Sequence, residues 1–457
     1  MNLLKRKQLT TTQMIVFGFM AAIGIGTVLL TLPVSSRSGE ATNLVDAMFT
    51  ATTSICVTGL TTVNTLEHWS VFGKIVITFL MQFGGLGVVT FTTSILLIMG
   101  RRITLKERLL IQDAYNLDTL KGLVRLTIKI LKGTILVEGV AAVFYCIQFI
   151  PEFGFFPGIG KAVFTAVSAF CNAGMDLIGD NSLAPYRGNL LINGVTMSLI
   201  VLGGLGFPVW WDLIRVARMK EKRKLGFRGM FQKFQLHTKL VLTVTAVLII
   251  GGAMVVMLLE WNNPLTLGPL PWWEKILASL FQSVTTRTAG FLTIPQENFR
   301  NATSFFCILL MFIGGSPSGT AGGVKTVTIA MMLLAVVSIV RGKEDTEVFH
   351  RKIAESNVKK GMAVVMISLA VLLTSTMILS IVEHAQFIDV FYETTSALAT
   401  VGLSRGFTGT LSTAGKLIII VTMYLGRIGP ISMALFFNTK KPKANQRRLP
   451  GERIIVG

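Results

Sequence analysis

The stretch Thr52–Gly59, read as Thr-Thr-Ser-Ile-Cys-Val-Thr-Gly, decides the fold predicted for this chain. It lies between two long apolar segments and is too short and too polar to cross a bilayer. It ends on a glycine, which adopts left-handed backbone conformations at little steric cost. Taken alone, the stretch is an ordinary polar loop between two helices.

Three related stretches follow it, ending at Gly174, Gly290 and Gly402, at intervals of about 115 residues. Each has a phenylalanine roughly ten residues before its glycine and an apolar segment after it. Four copies at this spacing predict four equivalent units around one axis. The residues predicted to line that axis are Val57, Thr58, Gly59, Asn172, Ala173, Gly174, Thr288, Ala289, Gly290, Thr400, Val401 and Gly402.

The composition indicates an integral membrane protein. The chain has 457 residues, of which 51% are hydrophobic and only 14% are charged, whereas about 25% of the residues of a soluble domain are charged. The net charge is +20, and 30 of the 43 Lys and Arg residues fall in five segments between or beyond the apolar runs. This positive-inside pattern predicts a multi-pass protein of the plasma membrane with both termini in the cytoplasm. Nucleic-acid binding is not indicated, since no basic and aromatic surface module is present.

Each unit is predicted to contain a spanning first helix, a re-entrant pore helix with its loop, and a spanning second helix. The predicted fold is an all-α membrane protein with four tandem repeats, pseudo-fourfold symmetry around one central pore and about eight full transmembrane helices. The second helices are predicted at 71–99, 190–216, 303–340 and 416–437, and only the third is expected to be broken. The predicted boundaries are a cytoplasmic arm at 1–12, repeat 1 at 13–105, repeat 2 at 106–218, repeat 3 at 219–342, repeat 4 at 343–440 and a basic cytoplasmic tail at 441–457.

Four pore loops that meet at one axis suit the passage of a cation. Non-helical backbone is tolerated at membrane depth where it is buried in protein or lines a wet cavity. Backbone carbonyls there can replace the hydration shell of a monovalent cation, and the C-terminal ends of the pore helices add partial negative charge. We therefore expect a monovalent cation, with potassium and sodium as candidates, at the carbonyls of the pore loops. No covalently bound cofactor is expected.

The second helix of repeat 3 contains five Gly and one Pro within 313–323, so it cannot remain a continuous helix. An irregular segment just below the pore loops is a candidate gate. A phosphate-binding loop is excluded, because Val324 separates Gly323 from Lys325. The candidate gate residues are Gly314, Gly315, Ser316, Pro317, Ser318, Gly319, Thr320, Ala321, Gly322, Gly323, Lys325 and Arg427.

A few charged residues fall inside apolar segments, where a functional role is the first expectation. Arg427 is predicted to face the pore, as an electrostatic barrier or as a clamp on the broken helix. Lys325 either joins the gate or extends its amine toward the inner surface. Arg287 should point away from the axis, and Glu138 should be paired between helices. The basic run at 218–224 either contacts inner-leaflet lipids or docks a cytoplasmic partner.

The four pore loops, the Gly-Gly-Ser-Pro-Ser-Gly-Thr-Ala-Gly-Gly break and the Arg427 helix together resemble the Trk/Ktr/HKT superfamily of potassium transporters. The short segment before the first span resembles the Ktr branch, with its KtrB-like membrane subunit. The resemblance implies inward, sodium-dependent potassium transport by a homodimer. It also implies a cytoplasmic RCK-type (KtrA-like) regulatory ring that binds ATP or ADP, so that nucleotide is expected on the partner alone. Within the family, a glycine at the position of Gly59 goes with potassium selectivity, and Arg427 matches a pore-blocking arginine.

Two alternative functions compete with potassium uptake. The first is a sodium-selective or weakly selective transporter of monovalent cations, which shares every motif above. The second is a membrane-embedded enzyme, which needs a cluster of acids, histidines or nucleophiles at one membrane face. The sequence offers no such cluster, and its four cysteines lie in apolar surroundings as packing residues, so an enzyme is not predicted.

Overall fold

The computed structural model describes residues 11–87, 90, 93, 123–179, 181–223 and 226–429. Four helices in this part of the chain are long and apolar enough to cross a membrane, and a bent pair in repeat 2 would make five. The predicted count of eight spans therefore stays a prediction. The four long helices are the first helices of the repeats: Thr11–Thr31, Leu123–Phe153, Leu236–Glu260 and Glu355–Val382.

A shorter helix follows each first helix, at the place predicted for a pore helix. Nearly every residue in its C-terminal half is buried, whereas the first helices expose large apolar side chains such as those of Leu136, Leu258 and Met377. Since lipid solvates apolar side chains, this arrangement is what a bundle surrounded by hydrocarbon requires. The pore helices are Leu44–Cys56, Phe155–Cys171, Trp272–Thr285 and Phe387–Ala399.

The second helices are shorter than predicted, and the expectation that only repeat 3 is broken is wrong. In repeat 2 the helix ends before Gly206, and the chain resumes as the helix Phe207–Arg223, bent by 100°. Gly206 has φ +88, a conformation that side chains disfavour, and Pro208 suits the first turn of the new helix. Gly87 and Gly429 end the helices of repeats 1 and 4 with φ +80 and +91. The second helices are Val71–Leu86, Leu190–Leu205, Asn301–Phe312 and Thr413–Ile428.

The small elements connect these helices. In repeat 3 the chain continues after the irregular segment as the helix Thr326–Val340, which runs into a short antiparallel hairpin. The residues predicted as a cytoplasmic arm and as a basic tail lie outside the described part of the chain, apart from Thr11 and Thr12. So do most of the residues that follow Gly87 in repeat 1. The remaining elements are the helices Thr65–His68 and Phe227–Lys233, the strands Glu347–Val348 and Arg351–Lys352, and the 3-10 turns Pro33–Ser35, Ala184–Tyr186, Gln296–Asn298 and Thr408–Thr410.

Candidate ion pathway and gate

The four pore loops share one backbone pattern. The residue two positions before each of the four regularly spaced glycines has positive φ, and so does the glycine itself. Three of those preceding residues are β-branched, for which the left-handed region is unusual and costs about 1–3 kcal/mol. Such a conformation persists only where the surroundings enforce it. The pairs are Val57 (φ 55) with Gly59 (100), Asn172 (60) with Gly174 (65), Thr288 (66) with Gly290 (82) and Thr400 (52) with Gly402 (94).

The four glycines form a closed ring, which we call the glycine ring. A Cβ atom on Gly59 would lie 2.5 Å from the carbonyl oxygen of Ala173 in the next loop, closer than real Cβ atoms approach. In each pore loop the glycine lies similarly close to a carbonyl oxygen of the next loop, and the glycine of the fourth loop lies close to a carbonyl oxygen of the first. The ring therefore closes only if each of its four positions lacks a side chain. The pairs in contact are Gly59 with Ala173, Gly174 with Ala289, Gly290 with Val401 and Gly402 with Thr58.

Several backbone oxygens beside the glycine ring have no protein donor. Within the described part of the chain, no hydrogen bond uses the carbonyls of the two residues before each ring glycine, although those residues are at most 1% exposed. More than 90% of buried backbone groups in native proteins are paired. The side-chain oxygens of Thr58, Asn172 and Thr400 are also buried without a partner. A set of unpaired oxygens around one axis suits a dehydrated monovalent cation.

Hydroxyl groups six residues before the glycines hold two of the loops. The sequence predicts a hydrogen bond between the Thr53 hydroxyl and neighbouring backbone, but sequence reasoning missed the same role for Ser396. Thr53 Oγ1 accepts a hydrogen bond from the Gly59 amide at 2.9 Å, and Ser396 Oγ accepts one from the Gly402 amide at 3.0 Å. Ser168 occupies the same position in repeat 2. A recurring Ser or Thr at this fixed distance was the signal available. In repeat 3 this position is Val284, and the next residue, Thr285, donates to the Phe291 carbonyl at 2.5 Å instead.

A vestibule of about 450 Å³ lies over the glycine ring, and all four ring glycines contribute to its wall. Its polar lining includes the carboxylates Asp176 and Glu297 and the hydroxyls of Thr61 and Ser404. Negative and hydroxyl groups at a mouth raise the local concentration of cations. The vestibule thus gives the ring an aqueous approach from one side.

The segment Ile313–Lys325, which we call the repeat-3 loop, is the irregular segment predicted as a gate. Its ends are held together by a bridge between Ile313 and Val324, with the Gly314 amide donating to the Val324 carbonyl at 2.9 Å. The middle of the loop docks on repeat 2, because the Ser316 amide donates to Gly204 O at 2.9 Å. The loop is therefore a folded element with defined partners.

The repeat-3 loop also touches the pore loops directly. The Gly322 amide donates to Thr288 Oγ1 at 3.2 Å, and Thr320 Oγ1 donates to the Phe170 carbonyl at 3.0 Å. A Cβ atom on Gly322 would collide with the hydroxyl of Thr400. The loop thus contacts residues that precede the ring glycines in repeats 2, 3 and 4. The vestibule is lined by the ring glycines and residues that follow them, so the loop lies on the opposite side of the ring.

Arg427 and Lys325 both bond to the repeat-3 loop. Arg427 Nη1 donates to the Thr320 carbonyl at 2.8 Å, and its Nη2 donates to the carbonyl of Gly84 in repeat 1. Lys325 Nζ donates to the Ala321 carbonyl at 2.7 Å. Of the two roles considered for each residue, the geometry favours the clamp for Arg427 and membership of the loop for Lys325.

Two further charges lie behind the pore loops. Arg287 is 5% exposed and donates to Thr245 Oγ1 at 3.3 Å, so its side chain reaches the first helix of repeat 3. Glu138 accepts a hydrogen bond from Gln82 Nε2 at 3.3 Å, between the first helix of repeat 2 and the second helix of repeat 1. Neither takes part in an ion pair among the described residues.

Comparison with known proteins identifies the family of this chain. The family model "TrkH: Cation transport protein" matches residues 4–449. The chain belongs to the TrkH family of cation transport proteins. Ktr system potassium uptake protein B of Bacillus subtilis is 41% identical over 456 residues, covering 100% of this chain and 99% of the relative. The potassium/sodium uptake protein NtpJ of Enterococcus hirae is 38% identical over 458 residues, covering 99% and 98%.

The fold agrees with the family. The crystal structure of the potassium transporter TrkH from Vibrio parahaemolyticus matches with a TM-score of 0.72 at 16% identity, over 95% of this chain and 86% of that chain. At this identity the match shows the fold alone. The relatives are transporters rather than enzymes, and several helices here can cross a membrane. The chain is therefore a multi-pass membrane transporter of cations, as the sequence predicted.

Proposed function

We propose that this chain takes up potassium across the plasma membrane through a selectivity filter formed by the four pore loops. The observation that carries the proposal is the glycine ring, with unpaired buried carbonyls in every loop. Carbonyl dipoles in such a ring stabilise a cation that has lost its water. The names of the relatives from Bacillus subtilis and Enterococcus hirae, which refer to potassium and to potassium/sodium uptake, support the same ion class.

We further propose that the repeat-3 loop is the gate and that Arg427 holds it closed. The loop lies on the far side of the ring from the vestibule and contacts Thr288, whose backbone belongs to a pore loop. A cation leaving the ring would meet this loop and the amine of Lys325. The proposed assembly is a homodimer, with about eight spans per chain and pseudo-fourfold repeats around each pore.

The proposed regulation involves a separate subunit. The words "Ktr system" in the name of the Bacillus subtilis relative indicate a system of more than one component. We propose a cytoplasmic RCK-type ring as the partner, with ATP favouring transport and ADP favouring closure, and sodium dependence of uptake. Sodium-selective or weakly selective transport is the second candidate, and the name of the Enterococcus hirae relative, potassium/sodium uptake protein, favours its inclusion.

Rubidium flux into proteoliposomes tests the proposed function. We expect flux that excess external potassium suppresses and that sodium at equal concentration leaves largely intact. Flux measured with and without the partner ring at each nucleotide tests the regulation. Equal suppression by both ions would favour the second candidate, and an absence of cation flux under all these conditions would overturn both.

Removing one loop-holding hydroxyl should lower ion discrimination. The Thr53→Val substitution keeps the β-branched shape but leaves the Gly59 amide without its acceptor. A hydrogen bond contributes about 1 kcal/mol, so we expect a roughly fivefold loss of discrimination between potassium and sodium. Rubidium flux in mixed salts measures it. Thr52→Val is the matched control, because the Thr52 hydroxyl bonds to Met48 within its own helix and the variant should behave as the parent.

A further inference from the structure

A second cavity, of about 270 Å³, lies where the second helix of repeat 2 ends. The same helix begins shortly after the vestibule residues Asn181 and Ser182, so the two cavities lie toward opposite ends of that helix. It separates the start of the first helix of repeat 2 from the bent helix Phe207–Arg223. One side contains Asp212 and Arg215. The rest of the wall is mostly apolar and consists of Leu126, Ile130, Phe207, Pro208, Trp211 and Gln235.

Two basic residues, Arg125 and Lys129, lie beside this cavity, each next in sequence to a residue of its wall. Lys129 lies with its Nζ 5.6 Å from the centre of the Trp211 ring, and Arg125 is exposed one turn earlier on the same helix. The single carboxylate of the wall, Asp212, is already neutralised by Arg215 at 2.5 Å. It also accepts a hydrogen bond from the Gln235 amide at 2.9 Å. The lysine and arginine of the first helix thus have no acid to balance them in the cavity wall.

The bent helix has the composition of a helix at a membrane surface. It turns by 100° from the second helix, so it crosses the end of the bundle rather than extending it. It begins with Phe, Pro, Val and two Trp and continues into the basic residues Arg215 and Arg218. Aromatic residues next to Lys and Arg mark the boundary between hydrocarbon and headgroups. The cavity therefore opens at the depth of the lipid headgroups.

We propose that this cavity binds an anionic phospholipid. The headgroup phosphate lies at Arg125 and Lys129, and part of an acyl chain lies along Leu126, Ile130 and Phe207. Basic pockets between transmembrane helices at a cytoplasmic face suit such headgroups, and the apolar wall suits the chain. The assignment of this end to the inner leaflet rests on the proposed function and its positive-inside orientation.

The bound phospholipid would also affect the proposed gate, the repeat-3 loop. Phe207 forms part of the cavity wall, and its amide donates to the carbonyl of Ser318 in the repeat-3 loop at 3.1 Å. The preceding residue, Gly206, packs so closely on the Pro317 carbonyl that a Cβ atom would collide with it. A lipid that fixes Phe207 therefore fixes one anchor of the loop, and we expect the lipid to change transport as well as to bind.

Native mass spectrometry of the purified full-length protein tests the site, with phosphatidylglycerol or phosphatidylcholine added at equal concentration. We expect preferential retention of phosphatidylglycerol. Because each basic residue near a membrane surface contributes about 1 kcal/mol, retention should fall about thirtyfold in the Arg125→Gln/Lys129→Gln double variant. Ile130→Trp, which fills the cavity without changing charge, should also lower it. Lys359→Gln/Lys360→Gln, with two exposed lysines at the start of the first helix of repeat 4, is the control and should retain the lipid as the parent does.

Equal retention of the two lipids by the parent would overturn the site. So would full retention of phosphatidylglycerol by both the double variant and Ile130→Trp. Soluble glycerol phosphate should not displace the lipid, and displacement at low concentration would point to a site for free phosphate instead.

Rubidium flux in vesicles with and without phosphatidylglycerol tests the link to the gate. We expect the parent to respond to phosphatidylglycerol and the double variant to respond less. Unchanged flux despite lipid binding would overturn the link through Phe207. Lipid retention is measured without transport, so a protein that binds the lipid but moves no cation would contradict the proposed function and leave the site supported.

Discussion

Gly59→Ala should reduce the discrimination between potassium and sodium by at least about tenfold. Gly59 has φ +100, where a side chain costs about 1–3 kcal/mol, and the added Cβ would lie 2.5 Å from the Ala173 carbonyl oxygen. That oxygen belongs to the neighbouring pore loop, so it must move if the side chain is to fit. Gly59→Ser should act in the same direction. Rubidium flux with sodium and potassium as competitors measures the change.

Gly39→Ala is the matched control for this prediction. Gly39 also has positive φ, at +74, but no atom lies within 4 Å of the position of its added Cβ. It therefore imposes a similar backbone strain without a collision, and we expect parental ion preference. If Gly59→Ala and Gly59→Ser both retain the parental preference while folding normally, Gly59 is not part of a selectivity filter.

Arg427→Ala should raise cation flux by at least about tenfold at matched expression. The guanidinium donates to the carbonyls of Thr320 and Gly84, and so connects the repeat-3 loop to repeat 1. A hydrogen bond from a charged group contributes about 1.5–3 kcal/mol, so the loss of two should shift the loop away from its closed position. Shortening the loop within Ser316–Gly322 should likewise raise flux. Rubidium uptake into vesicles measures both variants.

Arg427→Lys separates a clamp from a charge barrier. Lysine keeps the positive charge, but its single amine cannot reproduce a planar fork that bonds two carbonyls on different repeats. A clamp predicts flux between those of the parent and Arg427→Ala, whereas a simple barrier predicts parental flux. If neither Arg427→Ala nor the shortened loop conducts faster than the parent, the repeat-3 loop is not the gate.

Much of the proposed pathway could be predicted from the sequence, because the pore-loop pattern recurs four times along the chain. Four glycines at constant spacing predicted the positions that form the glycine ring, and the density of Gly and Pro near Ser316 predicted the broken helix. Contacts between repeats could not be predicted in this way. That Gly59 meets Ala173, or that Arg427 reaches Gly84, depends on how distant segments pack.

The errors have a common physical origin. Gly-Gly-Leu-Gly in repeats 1 and 2 is typical of small residues that let helices pack closely, which holds for Gly84 against the Ile55 carbonyl and for Gly203 against the Phe170 carbonyl. The last glycine of each motif instead ends the helix at positive φ. Glycine serves both purposes, and only the backbone conformation distinguishes a glycine that packs helices from one that ends a helix.

The glycine ring is assembled from one polypeptide, so its four quadrants are encoded separately. A mutation in the gene alters one quadrant and leaves three intact, which differs from a channel built of four identical subunits, where every mutation appears four times. Ion preference can therefore be adjusted in small steps. The quadrants already differ, with Val57, Asn172, Thr288 and Thr400 at the equivalent position. Evolution could thus specialise some quadrants for contact with the repeat-3 loop and the others for binding the ion.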